Sequence, residues 1–261
     1  MPTYNIDTLQ KLQDIAPTHL ADDCVLLNDI DASGTAAWNP IAGQPNEYNG
    51  FIPIGTQAVP FTGSFDGGGF TISNLYVRST DTTTTYPSLL GFCQPSNTAY
   101  EFKDVSILDA TIISVGVCAG GILAGYIGGS DPANRNVVSN VVTSGTITFN
   151  VVGFGGGGCV GSAYQLEFTD CSTSITYITV GASVGTDYIG GMVGYVDRCD
   201  FTDCEAGGSI NSTITADRDR SIGGFCGAIV AGGAANQVSH LTGCKASVAI
   251  LSDHQYATAS G

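Results

Sequence analysis

The sequence predicts an all-β chain wound as a right-handed parallel β-solenoid with a short N-terminal helical cap. Three observations carry that prediction: a glycine-centred apolar segment recurs five times, a second motif follows each recurrence, and the composition is poor in helix formers. Of 261 residues 36 are Gly and only 12% are charged, while 43% are apolar. Such a mixture disfavours helices and suits strands joined by turns.

The recurring segments align without gaps: "PSLLGFC" (87–93), "GILAGYI" (121–127), "GGCVGSA" (157–163), "GGMVGYV" (190–196) and "GGFCGAI" (223–229). Their fifth position is Gly91, Gly125, Gly161, Gly194 and Gly227, at spacings of 34, 36, 33 and 33 residues. These glycines read as corners, where the chain turns sharply or needs a positive φ. The second motif is "FKDV" (102–105), "VSNV" (138–141), "FTDC" (168–171), "FTDC" (201–204) and "LTGC" (241–244). A third apolar position follows at Ile112, Ile147, Ile178, Ile210 and Ile250. Apolar residues alternate over four to seven positions instead of recurring at helical spacing, so the unit is three short strands separated by turns. One such unit cannot bury its own apolar face; it must stack on its neighbours, each strand pairing in parallel with its counterpart one coil away. Right-handedness follows from the usual hand of parallel crossovers.

Residues 1–49 lie outside the repeat and read as a cap, 50–250 as a solenoid of about six coils, and 251–261 as a polar tail. In "NIDTLQKLQDIA", Ile6, Leu9, Leu12 and Ile15 share one helical face behind an Asn or Asp cap, and Pro17 ends the helix. An amphipathic helix there would cover the unpaired edges of the first coil.

"DCVLLNDIDASGTAAWNPIAG", "GFIPIGT" and "PFTGSFDGGGFTISNLYV" (60–77), followed by units of the "GGMVGYV" kind, resemble the GLUG-motif repeat proteins. The resemblance runs from about residue 6 to 250. It implies a β-solenoid region of a bacterial surface protein or of a phage structural or fibre protein. It brings no catalytic residues.

The cysteines follow the repeat. Cys171, Cys204 and Cys244 occupy a register that is Val105 and Val141 in earlier coils, which is how a buried thiol behaves when it replaces a small hydrophobe. Cys226 aligns with Leu90, Ala124, Val160 and Val193, and Cys93 with Ile127, Val196 and Ile229, whereas Cys24 and Cys118 fall outside the ladders. The expectation is reduced core ladders, with disulfides between adjacent coils as the alternative. His19, His240 and His254 are not spaced with a cysteine pair as a zinc site needs, and no cofactor is expected.

Asp104, Asn140, Asp170, Asp203 and Gly243 fall at one repeat position, where Asp and Asn bond their own backbone and tolerate left-handed geometry. Asp197, Asp200, Asp203 and Glu205 are also close enough in sequence to be candidate Ca²⁺ ligands. Paired carboxylates on one face would alternatively permit polysaccharide cleavage. The run "GFGGGGC" (153–159) lacks the Lys-Ser/Thr of a phosphate loop and reads as a solenoid corner.

With 8 Lys+Arg against 23 Asp+Glu, the net charge of −15 excludes nucleic acid and anionic membranes as partners, and no apolar stretch is long enough to insert in a bilayer. A chain with a start Met and no apolar leader reads as made in the cytoplasm and released without a secretion signal. The expected function is therefore a non-enzymatic virion surface protein of a phage: a capsid decoration, head fibre or tail fibre, contacting other virion proteins or a host-surface glycan or protein, and forming a homo-oligomer such as a trimer. A bacterial cell-surface adhesin domain is the alternative, and a tailspike-like polysaccharide-degrading enzyme a further one.

Overall fold

A computed structural model describes residues 1–80, 86–94, 100–116, 119–129, 135–149, 155–179, 187–212, 220–230, 238–252 and 258–260. The chain is a parallel β-solenoid. Its strands form one 14-stranded sheet and two five-stranded sheets, and every pairing between named strands is parallel.

Each coil has four walls, one more than the sequence pattern predicts. The first wall stacks Leu90–Cys93, Ala124–Gly128, Val160–Tyr164, Val193–Asp197 and Cys226–Val230. The second runs through the first halves of Glu101–Ser114 and Asn136–Phe149, then Leu166–Thr169, Asp200–Thr202 and His240–Thr242. The third holds the second halves of those two long strands, then Ser172–Thr179, Glu205–Ser212 and Lys245–Ser252. The unpredicted fourth wall is Ala119–Gly120, Gly155–Gly157, Asp187–Gly190, Arg220–Gly223 and Thr258–Ser260. It is short and rich in glycine, so it lacks the apolar alternation that marks a strand in sequence.

Its proximity corrects the reading of the repeat glycines. Gly91, Gly125, Gly161, Gly194 and Gly227 lie inside first-wall strands, and none has a positive φ. They are required because two backbones touch. A Cβ on Gly161 would come within 2.4 Å of the Gly120 nitrogen and 2.6 Å of the Gly125 oxygen; on Gly194, within 2.4 Å of the Gly156 nitrogen and 2.7 Å of the Gly161 oxygen. Gly227 repeats the arrangement against the Ile189 nitrogen at 2.4 Å. The described part of "GFGGGGC" likewise contains the fourth-wall strand Gly155–Gly157 and is not only a corner.

Left-handed corners do occur where the Asp/Asn position predicts them. Asp104, Asn140, Asp170, Asp203 and Gly243 have φ of 53°, 51°, 53°, 52° and 67°, and they bend the second wall into the third. Asn140 Nδ2 donates to Asp104 Oδ1 at 2.7 Å, tying two of these corners together. A second left-handed corner, between the first and second walls, is made by Gln165 (φ 58°) and Arg198 (φ 57°).

The core is a set of ladders. Phe65, Phe102, Val138, Phe168, Phe201 and Leu241 share one register, with Phe168 and Phe201 stacked at 4.6 Å. The third apolar ladder runs Ile112, Ile147, Tyr177, Ile210 and Ile250, so Tyr177 and not Ile178 takes the inward position in its coil. Room for that ring comes from across the coil: a Cβ on Gly156 would lie 1.9 Å from the Tyr177 hydroxyl. In the next coil Ile189 replaces Gly156 and Ile210 replaces Tyr177, so the pair conserves volume.

The N-terminal segment joins the stack. Thr3–Ile6 pairs with Asp23–Leu26, which pairs with Phe65–Asp66 and through it with Glu101–Ser114. Ile6 therefore lies in an edge strand and not on the helix. The helix spans Leu9–Thr18 and is capped by Thr8, whose side chain accepts from the Lys11 amide at 3.2 Å; Pro17 sits within its last turn. Leu12 and Ile15 are fully buried at this end of the core.

Candidate functional site

The four acidic candidates do not converge. Asp197 makes a two-pronged contact with its neighbour Arg198, through Nε at 3.0 Å and Nη2 at 2.9 Å. With the Gln165 side-chain amide oriented so that its oxygen faces the guanidinium, Arg198 donates to it at 2.8 Å and the Gln165 amide nitrogen donates to the Gly129 carbonyl at 3.0 Å, which laces three successive coils. Asp200 binds Arg135 through one oxygen and His240 Nδ1, at 2.8 Å, through the other. Asp203 is an exposed left-handed corner, and Glu205 projects from the third wall in register with Ser172 and Lys245. Among the described residues, no three His, Cys, Asp or Glu side chains are grouped to hold a metal ion. Asp197, through Arg198, and Asp200 work as cross-coil ties. Its signal in sequence was misleading because the partners, Arg135 and His240, lie 65 and 40 residues away.

The thiol ladders are where the register places them. Eight described cysteines are free, and six of them are buried: Cys24, Cys93, Cys159, Cys171, Cys199 and Cys204. Cys118 and His254 lie outside the described residues. Burial pushes the Cys199 thiol up to about 12, and Cys24 to about 12 with help from Asp22 and Asp23. Cys93 and Cys159 are driven higher by the same desolvation, and Cys171 is raised by its contact with Cys204 and by burial. Such thiols are poor nucleophiles and structural in role.

Two consequences are measurable. Alkylation of the native protein in dilute solution at pH 8, read by peptide mass spectrometry, is expected to modify the partly exposed Cys244 first among the described cysteines and to leave Cys93, Cys159 and Cys199 unmodified until denaturant is added. Because the folded thiols hold their protons more tightly than unfolded ones, their contribution to stability is complete below about pH 8.5 and is lost as pH rises towards 12. Denaturation midpoints fall steadily above about pH 9.

An aromatic strip runs along the outside of the first wall. Phe92 stacks on Tyr126 at 4.2 Å, and Tyr126, Tyr164, Tyr195 and Tyr188 follow at 5.1, 5.3 and 5.3 Å. Only Phe92 and Tyr126 are parallel, while the later pairs are tilted by 36°, 36° and 54°, so the strip forms no single flat platform for a sugar ring.

The strip leads to a cleft of about 490 Å³ that sequence reasoning missed, lined among others by Phe51, Ile52, Pro53, Arg78, Thr80 and Tyr86. Arg78 reaches Glu47 at 2.6 Å through Nη1, while its buried Nε has no hydrogen-bond partner. Thr80 donates to Asn49 at 3.2 Å on the same rim. An apolar floor with one partly satisfied guanidinium suits binding of a polar ligand by a carbonyl or hydroxyl group. Among its lining residues there is no carboxylate for acid–base work.

No protein-family model matches the chain. A 158-residue stretch, 58% of the chain, is 34% identical to Halomucin of Haloquadratum walsbyi, and the match covers 2% of that protein's length. Among solved structures, the chain resembles a Bacteroides ovatus protein provisionally designated an immunoglobulin A1 protease, with a TM-score of 0.54 and 16% identity over 95% of this chain and 77% of that one. The second likeness is one of fold. Neither similarity points to a virion.

Proposed function

We propose that the chain is a non-enzymatic structural and binding module of a surface-displayed or secreted protein. The observation that carries the reading is that the repeats spend their reactive side chains on architecture: Asp104, Asp170 and Asp203 make corners, Asp197 and Asp200 tie coils through arginines, and the thiols fill the core. The likeness to a segment of Halomucin supports a surface or secreted setting over the virion assignment. Membership of the GLUG-type repeats fits the same reading, since coils of the "GGMVGYV" kind are that family's unit.

Adhesion is the more specific form of this role. It is favoured by a cleft of about 490 Å³, lined among others by Arg78, Thr80 and Tyr86, which is large enough for a small glycan or a peptide side chain.

The test is fractionation of the encoding organism. Antibody against the chain is expected to label intact cells or the culture medium, with particles purified from the same culture free of it; high-copy enrichment in particles would restore the virion assignment and overturn this one. Incubation with a panel of acidic and neutral polysaccharides is expected to release no new chain ends. Turnover that disappears in Asp200→Asn would contradict the non-enzymatic role.

A further inference from the structure

The tyrosines of the first wall carry a chemistry that the stack itself does not need. Tyr126, Tyr164, Tyr195 and Tyr188 follow one another along the outside of the coils, and each is partly exposed.

Register explains how two of them meet. Tyr164 stands opposite Asp197 in the next coil, and Tyr195 stands opposite Ser162 in the previous one, so the two tyrosines are diagonal neighbours on adjacent parallel strands. Residues two apart in a strand share a face, and aromatic side chains span such a diagonal. The ring centroids are 5.3 Å apart with 36° between the planes, and the Tyr164 hydroxyl donates to that of Tyr195. Tyr126 comes as near to Tyr164, at 5.1 Å, but it lies flat on Phe92 at 4.2 Å, and Tyr188 meets Tyr195 at a steeper 54°. It is Tyr164 and Tyr195 that join by their oxygen-bearing ends.

Those ends are where phenols couple. When two phenols each lose an electron and a proton, the radicals combine through the ring carbons next to the oxygens. Burial, then the neighbouring phenols and Asp197, raise the Tyr164 hydroxyl above its ordinary range, and burial followed by Asp197 does the same to Tyr195. Both are therefore protonated at neutral pH, and each releases its proton to solvent along with its electron. Two rings already held in contact by paired strands need no encounter before they react.

We propose that Tyr164 and Tyr195 are a site of oxidative cross-linking, at which a dityrosine bond staples one coil to the next. The oxidant is hydrogen peroxide, with a haem peroxidase as the one-electron catalyst. It takes one electron and the hydroxyl proton from each phenol; a carbon–carbon bond forms between the two rings, the hydrogens displaced from those carbons pass through solvent to the oxygens, and one peroxide is reduced to two waters. A bond across neighbouring coils restricts the unfolded chain and so favours the folded one. This inference stands apart from the surface-module reading, and either can fail alone.

The test treats the full chain in dilute solution with a haem peroxidase and stoichiometric hydrogen peroxide. Expected is the blue fluorescence of dityrosine in a product that stays monomeric and is lighter by two hydrogens, with peptide mass spectrometry joining the Tyr164 peptide to the Tyr195 peptide. The cross-linked protein should unfold at a higher urea concentration than the untreated one. Tyr164→Phe and Tyr195→Phe keep the rings in place and should each lower the intramolecular yield by about tenfold or more, whereas Tyr48→Phe, at a partly exposed tyrosine outside the strip, should leave it unchanged. Absence of dityrosine, a bond mapped to another pair, a product formed only between chains, or Phe variants that react as the parent does would overturn the proposal.

Discussion

Gly194→Ala is expected to destabilise the protein by about 3 kcal/mol or more, the upper end of the overpacking range, and to lower Tm by roughly 6–12 °C. The added methyl would lie 2.4 Å from the Gly156 nitrogen and 2.7 Å from the Gly161 oxygen. Both atoms are backbone, each already held in a ladder one coil away, so the clash cannot be relieved by turning a side chain. Separating the walls locally would strain the ladders on both sides. Gly224→Ala is the matched control: its methyl would meet only Ala246 and Val248 side chains, at 3.4 and 3.9 Å, which is ordinary contact. That substitution should stay within about 1 kcal/mol of the parent, since Ala also restricts the unfolded chain. Equal effects in urea titrations of the two variants would mean that the walls do not touch.

Phe201→Ala carries the second large effect, about 3–5 kcal/mol. The ring is 1% exposed, stacked on Phe168 at 4.6 Å and edge-on to Phe225 at 5.3 Å. Neighbouring coils are pinned by their own ladders and cannot collapse into the space left behind. Leu241→Ala removes a side chain from the same register, but from one that is 44% exposed, so in dilute solution it should cost well under half as much.

What was legible in sequence, and what was not, divides along physical lines. Register was legible, because each core ladder repeats one apolar position per coil: Phe102, Val138, Phe168 and Phe201 align as read, and so do Cys93, Ile127 and Val196. The left-handed corners were legible because few residues other than Gly, Asp and Asn adopt them readily, though Gln165 and Arg198 do so without such a signal. The fourth wall was not, because glycine strands leave no apolar period. The repeat glycines were seen but explained by the wrong cause, since a close approach of two backbones and a positive φ call for the same residue. Tyr177 takes the register position expected for Ile178 because Gly156, 21 residues earlier, leaves space for its ring that no local pattern records. The acidic stretch failed as a site for a similar reason: Asp200 answers to Arg135 and His240, which only the coil brings near. The cleft beside Arg78 draws on residues from 49 to 87 that carry no shared motif.

The central claim is the stack itself, and a distance between spin labels tests it most directly. Thr71, Ser106, Val142, Ser172 and Glu205 are successive rungs of one register. Labels at Thr71 and Glu205 are therefore four rungs apart, which at about 4.8 Å per rung predicts a single narrow distribution whose backbone separation is about 19 Å. A broad distribution, or one centred beyond about 30 Å, would contradict the in-register solenoid and everything built on it.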